Sequence, residues 1–186
     1  MSPAWPVVGL AIVSDDDCIA DAAGATPATL RNDADWRRFQ AELDACAVTV
    51  LGRLGHEAHG NARKRQRMVV SSSAAGVERR GADWWWNPAD LPWSAAIATV
   101  LPAGGRVAVP GGQGVFDLFL RLGYAEFHLT RAVGVRVPGG RPVFSAVRPG
   151  HGAGDVLAAH GLRAGPPIAV DPAAGVTLNI WTTDRA

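Results

Sequence analysis

Cysteine is scarce in this sequence: Cys18 and Cys46 are the only two among 186 residues. Two cysteines are too few for a disulfide-stapled scaffold, and neither belongs to a CxxC motif or to a Cys/His cluster with zinc spacing. An excess of one charge is also missing, since the formal net charge is +1. That balance argues against the global positive field on which nucleic-acid binding by counterion release depends. We therefore expect free thiols, no metal site and no nucleic-acid partner.

Long apolar runs are missing too. None approaches the roughly 20 residues that span a bilayer, and the apolar run from Ala4 to Val13 lacks the basic region and cleavage site of a signal peptide. We therefore expect a cytoplasmic protein with no membrane partner. The composition, 48% hydrophobic and 19% charged, is that of a globular protein. The length of 186 residues favours a single domain over residues 1–186.

Strand-like and helix-like segments alternate along most of the chain. Four apolar runs have the length and composition of buried strands: Val7 to Val13, Ala47 to Gly52, Met68 to Val70 and Trp84 to Trp86. Helices are predicted at three places: Asn32 to Ala47, Ser94 to Leu101 and Asp155 to His160. Two C-terminal strands flank the turn at Asp171 to Gly175, which predicts a terminal hairpin. This order favours an α/β sheet with a parallel core and antiparallel strands at an edge.

Three glycines lie at a strand–helix junction. The segment "VAVPGGQGVFDLFL" at Val107 to Leu120 places Gly111, Gly112 and Gly114 between an apolar run and an amphipathic run. A helix N-terminus at the carboxyl end of a strand offers N–H groups to phosphate, and glycine lets a ligand approach the backbone closely. The GxGxxG fingerprint is not present, so a tight turn without a ligand is the alternative.

Other patterns favour structural explanations. The acidic run Ser14 to Asp17 has no EF-hand spacing after it and is better explained as a turn. Histidines are scattered and no G-x-S-x-G elbow surrounds Ser71 or any other serine, which argues against a hydrolase. The run Trp84 to Trp86 fits strand packing better than a stacking wall for a flat ring. The basic cluster Asn61 to Arg67 is a solvated loop or, less readily, an anion site.

Four motifs together resemble the dihydrofolate reductase superfamily in their order and spacing. They are "VLGRLGHE" at Val50 to Glu57, "RMVVSSS" at Arg67 to Ser73, the glycine segment, and "EFHLTRA" at Glu126 to Ala132. The turn "SDDDCIAD" at Ser14 to Asp21 is similar to the S-x-D-G-x-I-A-D of the riboflavin-pathway reductase branch. The resemblance, over about Val7 to Phe144, implies a dihydrofolate-reductase-like three-layer α/β fold with a mostly parallel central sheet and an antiparallel C-terminal hairpin. It also implies NADPH-dependent reduction of a pterin-like or ribosylaminopyrimidine heterocycle.

The resemblance implies a cofactor site, position by position. Gly52 and Arg53 match the Gly-Arg pair whose arginine holds the 2′-phosphate of NADPH in the family, and Ser71 and Ser72 match residues that flank the adenine ribose. Two isoleucines border the nicotinamide: Ile12 and Ile19. The glycine segment provides the pair with a cis peptide bond and the start of the helix that faces the pyrophosphate: Gly111, Gly112, Gln113, Gly114 and Val115.

The resemblance also implies a substrate site. Asp35 lies near the position of the acidic residue that holds the pterin, and we assign it the catalytic role. Phe39 follows four residues later, on the same helix face. The remaining walls of the substrate site come from Asp16 and Thr130.

Two departures from the family pattern define an alternative. Asp17 replaces a glycine, which adds a charge beside the nicotinamide site, and Gly55 replaces a threonine, which removes a hydroxyl ligand for phosphate. A nucleotide-binding module of the same fold that has lost turnover is therefore the second hypothesis. The edge strands of the hairpin also make a homodimer one candidate assembly.

Overall fold

The architecture is a long twisted sheet with helices on both faces, seen in a computed structural model that describes residues 4–183. The strands are β1 Val7–Val13, β2 Cys18–Ala20, β3 Val48–Gly52, β4 Arg67–Val70, β5 Val77–Arg80, β6 Asp83–Trp86, β7 Val107–Val109, β8 Glu126–Ala132, β9 Arg141–Pro142, β10 Leu162–Ala164, β11 Ile168–Asp171 and β12 Val176–Thr183. The helices are α1 Asp33–Asp44, α2 Arg53–Ala58, α3 Trp93–Val100, α4 Gln113–Leu122 and α5 Ala153–Ala159.

The strand order in the main sheet is β10-β12-β8-β1-β7-β3-β4-β6-β5, with β11 also paired to β12. The pairs from β8 through β6 are parallel, whereas β12 joins β8, β10 and β11 antiparallel and β5 joins β6 antiparallel. The predicted α/β class, with its parallel core and antiparallel C-terminal hairpin, is confirmed. A separate two-stranded sheet pairs β2 with β9.

The central strand β1 is buried on both faces, as its continuous apolar run predicts. One face joins the large aromatic core that contains Phe116, Phe119 and Phe127. The other face packs Val8 and Leu10 under α1. Helices therefore cover both sides of the strand that lies at the middle of the sheet.

Helix α1 begins where its sequence predicts. The side chain of Asn32 accepts a hydrogen bond of 2.9 Å from the N–H of Asp35, which is the standard N-terminal cap. Asn32 also donates to Asp171 at the turn of the terminal hairpin, over 2.8 Å. The hairpin thus contacts the N-terminus of the helix that carries Asp35.

Among residues 4–183, no helix is long and apolar enough to cross a membrane. The same part of the chain contains no group of three histidine, cysteine or acidic side chains placed to hold a metal ion.

Candidate functional site

The carboxyl ends of four neighbouring parallel strands lie along one edge of the sheet. Strands β1, β7, β3 and β4 are adjacent in that order and run in the same direction. The segments that follow them therefore meet at this edge. It brings together the acidic turn after β1, the glycine turn after β7, Arg53 after β3 and Ser71 after β4.

The glycine turn connects β7 to α4. The Gly111–Gly112 peptide bond is cis, as the resemblance implies. Gly111 has φ +114°, and a Cβ there would lie 3.0 Å from the ring of Phe116, so the backbone is fixed against the core. A Cβ on Gly112 or on Gly114 would meet no atom within 4 Å. The outer side of this turn is therefore open.

Helix α4 begins at Gln113 without a side-chain cap. The N–H of Val115 donates to the carbonyl of Gly112 over 3.0 Å, whereas the N–H groups of Gln113 and Gly114 precede the first full helical turn. A cavity of about 300 Å³ lies beside this end of the helix, lined by Ala22, Gln113, Gly139, Gly140, Arg141 and Pro142. The open turn, the uncapped helix start and this cavity adjoin one another.

Arginine and serine side chains cluster around the ends of β3 and β4. Arg53 is exposed and forms an ion pair of 3.0 Å with Glu57. The hydroxyls of Ser71 and Ser73 are 2.9 Å apart, while Ser72 is exposed. Gly55 is the third residue of α2 and carries no hydroxyl.

Arg80 is a cation in this region that sequence analysis missed. Its guanidinium donates to the hydroxyl of Ser73 over 3.0 Å and lies 4.6 Å from the ring centroid of Trp85. Strand β5, which carries Arg80, has an exposed, charged pattern that gives no strand signal. The sequence feature that could have indicated a cation near the serines is the pair of arginines in "VERR", a few residues after them.

Asp35 lies on the inner side of α1. It is only 7% exposed. Burial raises the pKa of its carboxyl above the ordinary value, against the opposing effects of a hydrogen bond with the Thr130 side chain and of the Arg38 charge. Phe39 is partly buried on the same helix, against the cluster of Val8 and Leu10. The structure thus brings Asp35 and Thr130 together, with Phe39 on the adjoining turn of α1.

Comparison with known proteins gives matches in structure and none in sequence. No protein-family model and no curated protein matches the sequence. A protein assigned to riboflavin biosynthesis from Shewanella sp. PV-4 is 15% identical, with a TM-score of 0.65 over 97% of this chain and 99% of the other. A dihydrofolate reductase from Enterococcus faecalis, complexed with NADP(H) and RAB-propyl, is 14% identical, with a TM-score of 0.67 over 97% of each chain.

The chain has the dihydrofolate reductase fold. A third match is the diaminohydroxyphosphoribosylaminopyrimidine deaminase/5-amino-6-(5-phosphoribosylamino)uracil reductase from Thermotoga maritima, at 14% identity and a TM-score of 0.67. That match covers 98% of this chain and 57% of the other, so this chain spans little more than half of the bifunctional protein. The resemblance inferred from the four motifs is confirmed at the level of the fold.

The turn after β1 departs from our expectation for this dihydrofolate reductase fold. Asp17 adopts φ +59°, the left-handed geometry that its position requires. Its carboxylate accepts from Arg131 over 2.5 Å and from the N–H of Ala153, at the start of α5, over 2.9 Å. The charge of Asp17 is therefore paired with Arg131 and directed at the start of α5.

Replacing Asp17 by Gly is expected to lower the free energy of unfolding by about 1 kcal/mol, because it removes the Arg131 partner and the acceptor for α5 while keeping the left-handed backbone. Urea denaturation measures the change. Asp17→Asn, which retains a side-chain acceptor, is the matched control and should lose less. Equal stability of the glycine variant and the unmodified protein would contradict the assigned contacts.

Asp16 belongs to the same turn of the dihydrofolate reductase fold. Its carboxylate accepts from the hydroxyl of Ser14 over 2.6 Å and from the N–H of Val137 over 2.9 Å. Burial by itself would raise its pKa, but these hydrogen bonds and the charge of Arg136 together lower it. The oxygens of Asp16 are thus engaged within the protein. Ile12 and Ile19, on either side of the turn, are partly buried.

Proposed function

We propose that the protein is an NADPH-dependent reductase of a pterin-like or ribosylaminopyrimidine heterocycle. The observation that carries this proposal is the buried carboxylate of Asp35, which lies beside Thr130, in a fold where strand β7 ends in an open glycine turn. The arrangement combines an acceptor for ring N–H groups with a backbone site for phosphate. Two of the matched structures are a dihydrofolate reductase complexed with NADP(H) and a deaminase/5-amino-6-(5-phosphoribosylamino)uracil reductase, which supports this class of reaction.

The residues at the sheet edge fit a dinucleotide phosphate. The open space beyond Gly112 and Gly114 and the uncapped start of α4 suit a pyrophosphate. Arg53 and Arg80, with the serine hydroxyls between them, suit the additional 2′-phosphate of NADPH. When bound, NADPH supplies a hydride from its nicotinamide ring, and the protein contributes alignment and the exclusion of water.

Asp35 is assigned the role of holding the heterocycle. Its carboxylate can accept two adjacent N–H groups of a pterin or pyrimidine ring, and the low exposure strengthens those hydrogen bonds. Its raised pKa also lets the carboxyl carry a proton at a higher pH than an exposed aspartate does. Apolar surface comes from Ile12, which pairs with Thr130 in the sheet, and from Phe39, one turn after Asp35 on α1.

The decisive experiment is a screen of NADPH oxidation. The unmodified protein is mixed with NADPH and with dihydrofolate, dihydropterins or the riboflavin-pathway ribosylaminopyrimidine, and absorbance of the reduced nicotinamide is followed. Loss of absorbance that depends on one of these heterocycles supports the reductase. Quenching of tryptophan fluorescence by NADPH, without turnover of any of them, would favour the nucleotide-binding module instead.

A further inference from the structure

The contact between α1 and β8 contains a line of paired polar side chains. Asp35, Arg38 and Glu42 recur at helical spacing on one side of α1. Glu126, His128 and Thr130 alternate along β8 and therefore share one face of the sheet. We call these six side chains the polar ladder: Asp35, Arg38, Glu42, Glu126, His128 and Thr130. A helix ordinarily packs on a sheet through apolar side chains, so this interface needs an explanation.

The middle of the ladder is a hydrogen bond between Arg38 and His128. Nη2 of Arg38 lies 2.6 Å from Nδ1 of His128. Arginine can only donate, so Nδ1 of the ring is the acceptor and the ring proton is on Nε2. Nε2 then donates to Glu126 over 3.1 Å. These contacts define His128 as a neutral ring of one tautomer.

The surroundings of His128 favour that neutral state. The residue is 3% exposed, and the neighbouring strands place Leu10 and Ile180 in register on either side of it. Burial lowers the pKa of His128 and the charge of Arg38 lowers it further, against the opposing hydrogen bond to Glu126 and the charge of Glu42.

A second cation, Arg106, lies at the end of the ladder that is formed by Glu42 and Glu126. Nη2 of Arg106 is 2.9 Å from Oε2 of Glu126 and 3.5 Å from Oε2 of Glu42. Both acidic side chains of this end are therefore paired with Arg106. Glu42 also stabilises the charge of Arg38, more than Asp35 does, and Arg38 lies one helical turn from each of these two carboxylates.

The upper end of the ladder is Asp35, whose direct partner Thr130 is uncharged. Arg38 and Asp35 each stabilise the charged form of the other. Burial of Arg38 opposes its charge, so a guanidinium at this place needs an anchor to stay under the helix. His128 is that anchor.

We propose that Arg38 and His128 are positioning residues for Asp35: His128 holds the guanidinium beneath α1, and the guanidinium keeps Asp35 a carboxylate ready to receive the substrate ring. This inference rests on the proposed function, in which Asp35 holds the heterocycle. The contacts among the residues of the polar ladder do not involve a ligand.

The test is a pH titration of the Asp35 carboxyl carbon by NMR, in protein without cofactor or substrate. Arg38→Gln is expected to move the midpoint of Asp35 upwards, because the nearby positive charge is gone. His128→Leu should move it in the same direction, and the double variant should move it no further than Arg38→Gln alone, since both act through one guanidinium. Arg38→Lys and His128→Asn, which retain the charge and the acceptor, should stay closer to the unmodified protein.

Arg37→Gln is the matched control, because Arg37 is exposed on the outer side of the same helix. It should leave the midpoint of Asp35 unchanged. A midpoint in Arg38→Gln equal to that of Arg37→Gln would overturn the proposal, as would additive shifts in the double variant. If the midpoints shift as expected but the protein reduces none of the heterocycles, the coupling of Arg38 and His128 to Asp35 is supported and the proposed function is refuted. The two failures are therefore distinguishable.

The polar ladder also predicts how stability depends on pH. The folded pKa of His128 lies below its ordinary value of 6.5, so the unfolded chain binds a proton more readily than the folded protein does. This group therefore contributes stability above about pH 6.5 that is lost as the pH falls towards its folded pKa. Urea denaturation gives the free energy of unfolding of the unmodified protein and of His128→Asn from about pH 7 to about pH 5. As the pH falls, that free energy should decline less steeply in the variant. Parallel curves would contradict a neutral, buried His128.

Discussion

Replacing Asp35 by Asn is expected to reduce turnover of a pterin or pyrimidine by at least about tenfold, equivalent to about 1.4 kcal/mol of barrier, while the affinity for NADPH stays almost unchanged. Asparagine presents one acceptor and one donor where the carboxylate presents two acceptors, so one ring N–H loses its partner. The same substitution is expected to raise the melting temperature. Burial raises the pKa of Asp35, so the folded protein holds this proton more tightly than the unfolded chain does. Ionisation of the buried carboxyl at neutral pH therefore costs stability, and an asparagine, which does not ionise, avoids that cost.

Two measurements check this prediction: steady-state kinetics with NADPH, and thermal unfolding of the protein alone. Asp33→Asn is the matched control, because Asp33 lies in the first turn of the same helix and is exposed. It should change neither quantity appreciably. An unchanged rate in Asp35→Asn would remove Asp35 from the site and favour a riboflavin-type arrangement, in which other residues of the turn after β1 orient the substrate.

The unmodified protein is expected to bind NADPH more tightly than NADH, and Arg53→Ala and Arg80→Ala are each expected to weaken that preference. Each arginine offers charge-assisted hydrogen bonds to the 2′-phosphate, worth about 1.5–3 kcal/mol when fully formed. Both arginines are exposed and already paired, Arg53 with Glu57 over 3.0 Å and Arg80 with Glu78 over 2.5 Å, so each contributes less than that, at about tenfold in the ratio of dissociation constants. The double variant should lose about 100-fold.

Titrations of tryptophan fluorescence with the two cofactors measure these ratios. Affinity for NADH should change little in any variant, because it lacks the phosphate. Arg121→Ala is a suitable control, since Arg121 lies at the far end of α4 and is exposed. Equal dissociation constants for the two cofactors in the unmodified protein would count decisively against an NADPH site at Arg53 and Arg80.

The sequence predicted the elements that carry an apolar run, a helical period or a cluster of glycines. Strands β1, β3 and β6, the capped helix α1 and the glycine turn before α4 all lie where their patterns place them. Short strands such as β2 and β9 were missed, because two or three residues carry no periodic signal and pair only after the rest of the chain has brought them together. Strand β5 was missed because its residues are polar and lie at the edge of the sheet.

The candidate site was likewise predicted only in part. A local pattern indicated the glycine turn, since a strand–helix junction is visible within a few residues, whereas Asp35 was indicated by the resemblance to the dihydrofolate reductase superfamily. The polar ladder was not predicted, because its two sides lie far apart in sequence and meet only through the register of α1 on β8. The paired state of Asp17 depends in the same way on Arg131 and on the start of α5. Sequence spacing predicts which residues share a face, and tertiary packing decides which faces meet.

The position of β1 has a consequence for biosynthesis. This strand is made well before its neighbours β7 and β8: Val7 pairs with Val107, and Val8 with Glu126. Until β7 has emerged, this apolar strand has two open edges, which is the kind of segment that associates with other chains or with holding chaperones. The nascent chain therefore carries an unpaired apolar strand, and with it a risk of aggregation, until the middle of the sheet closes.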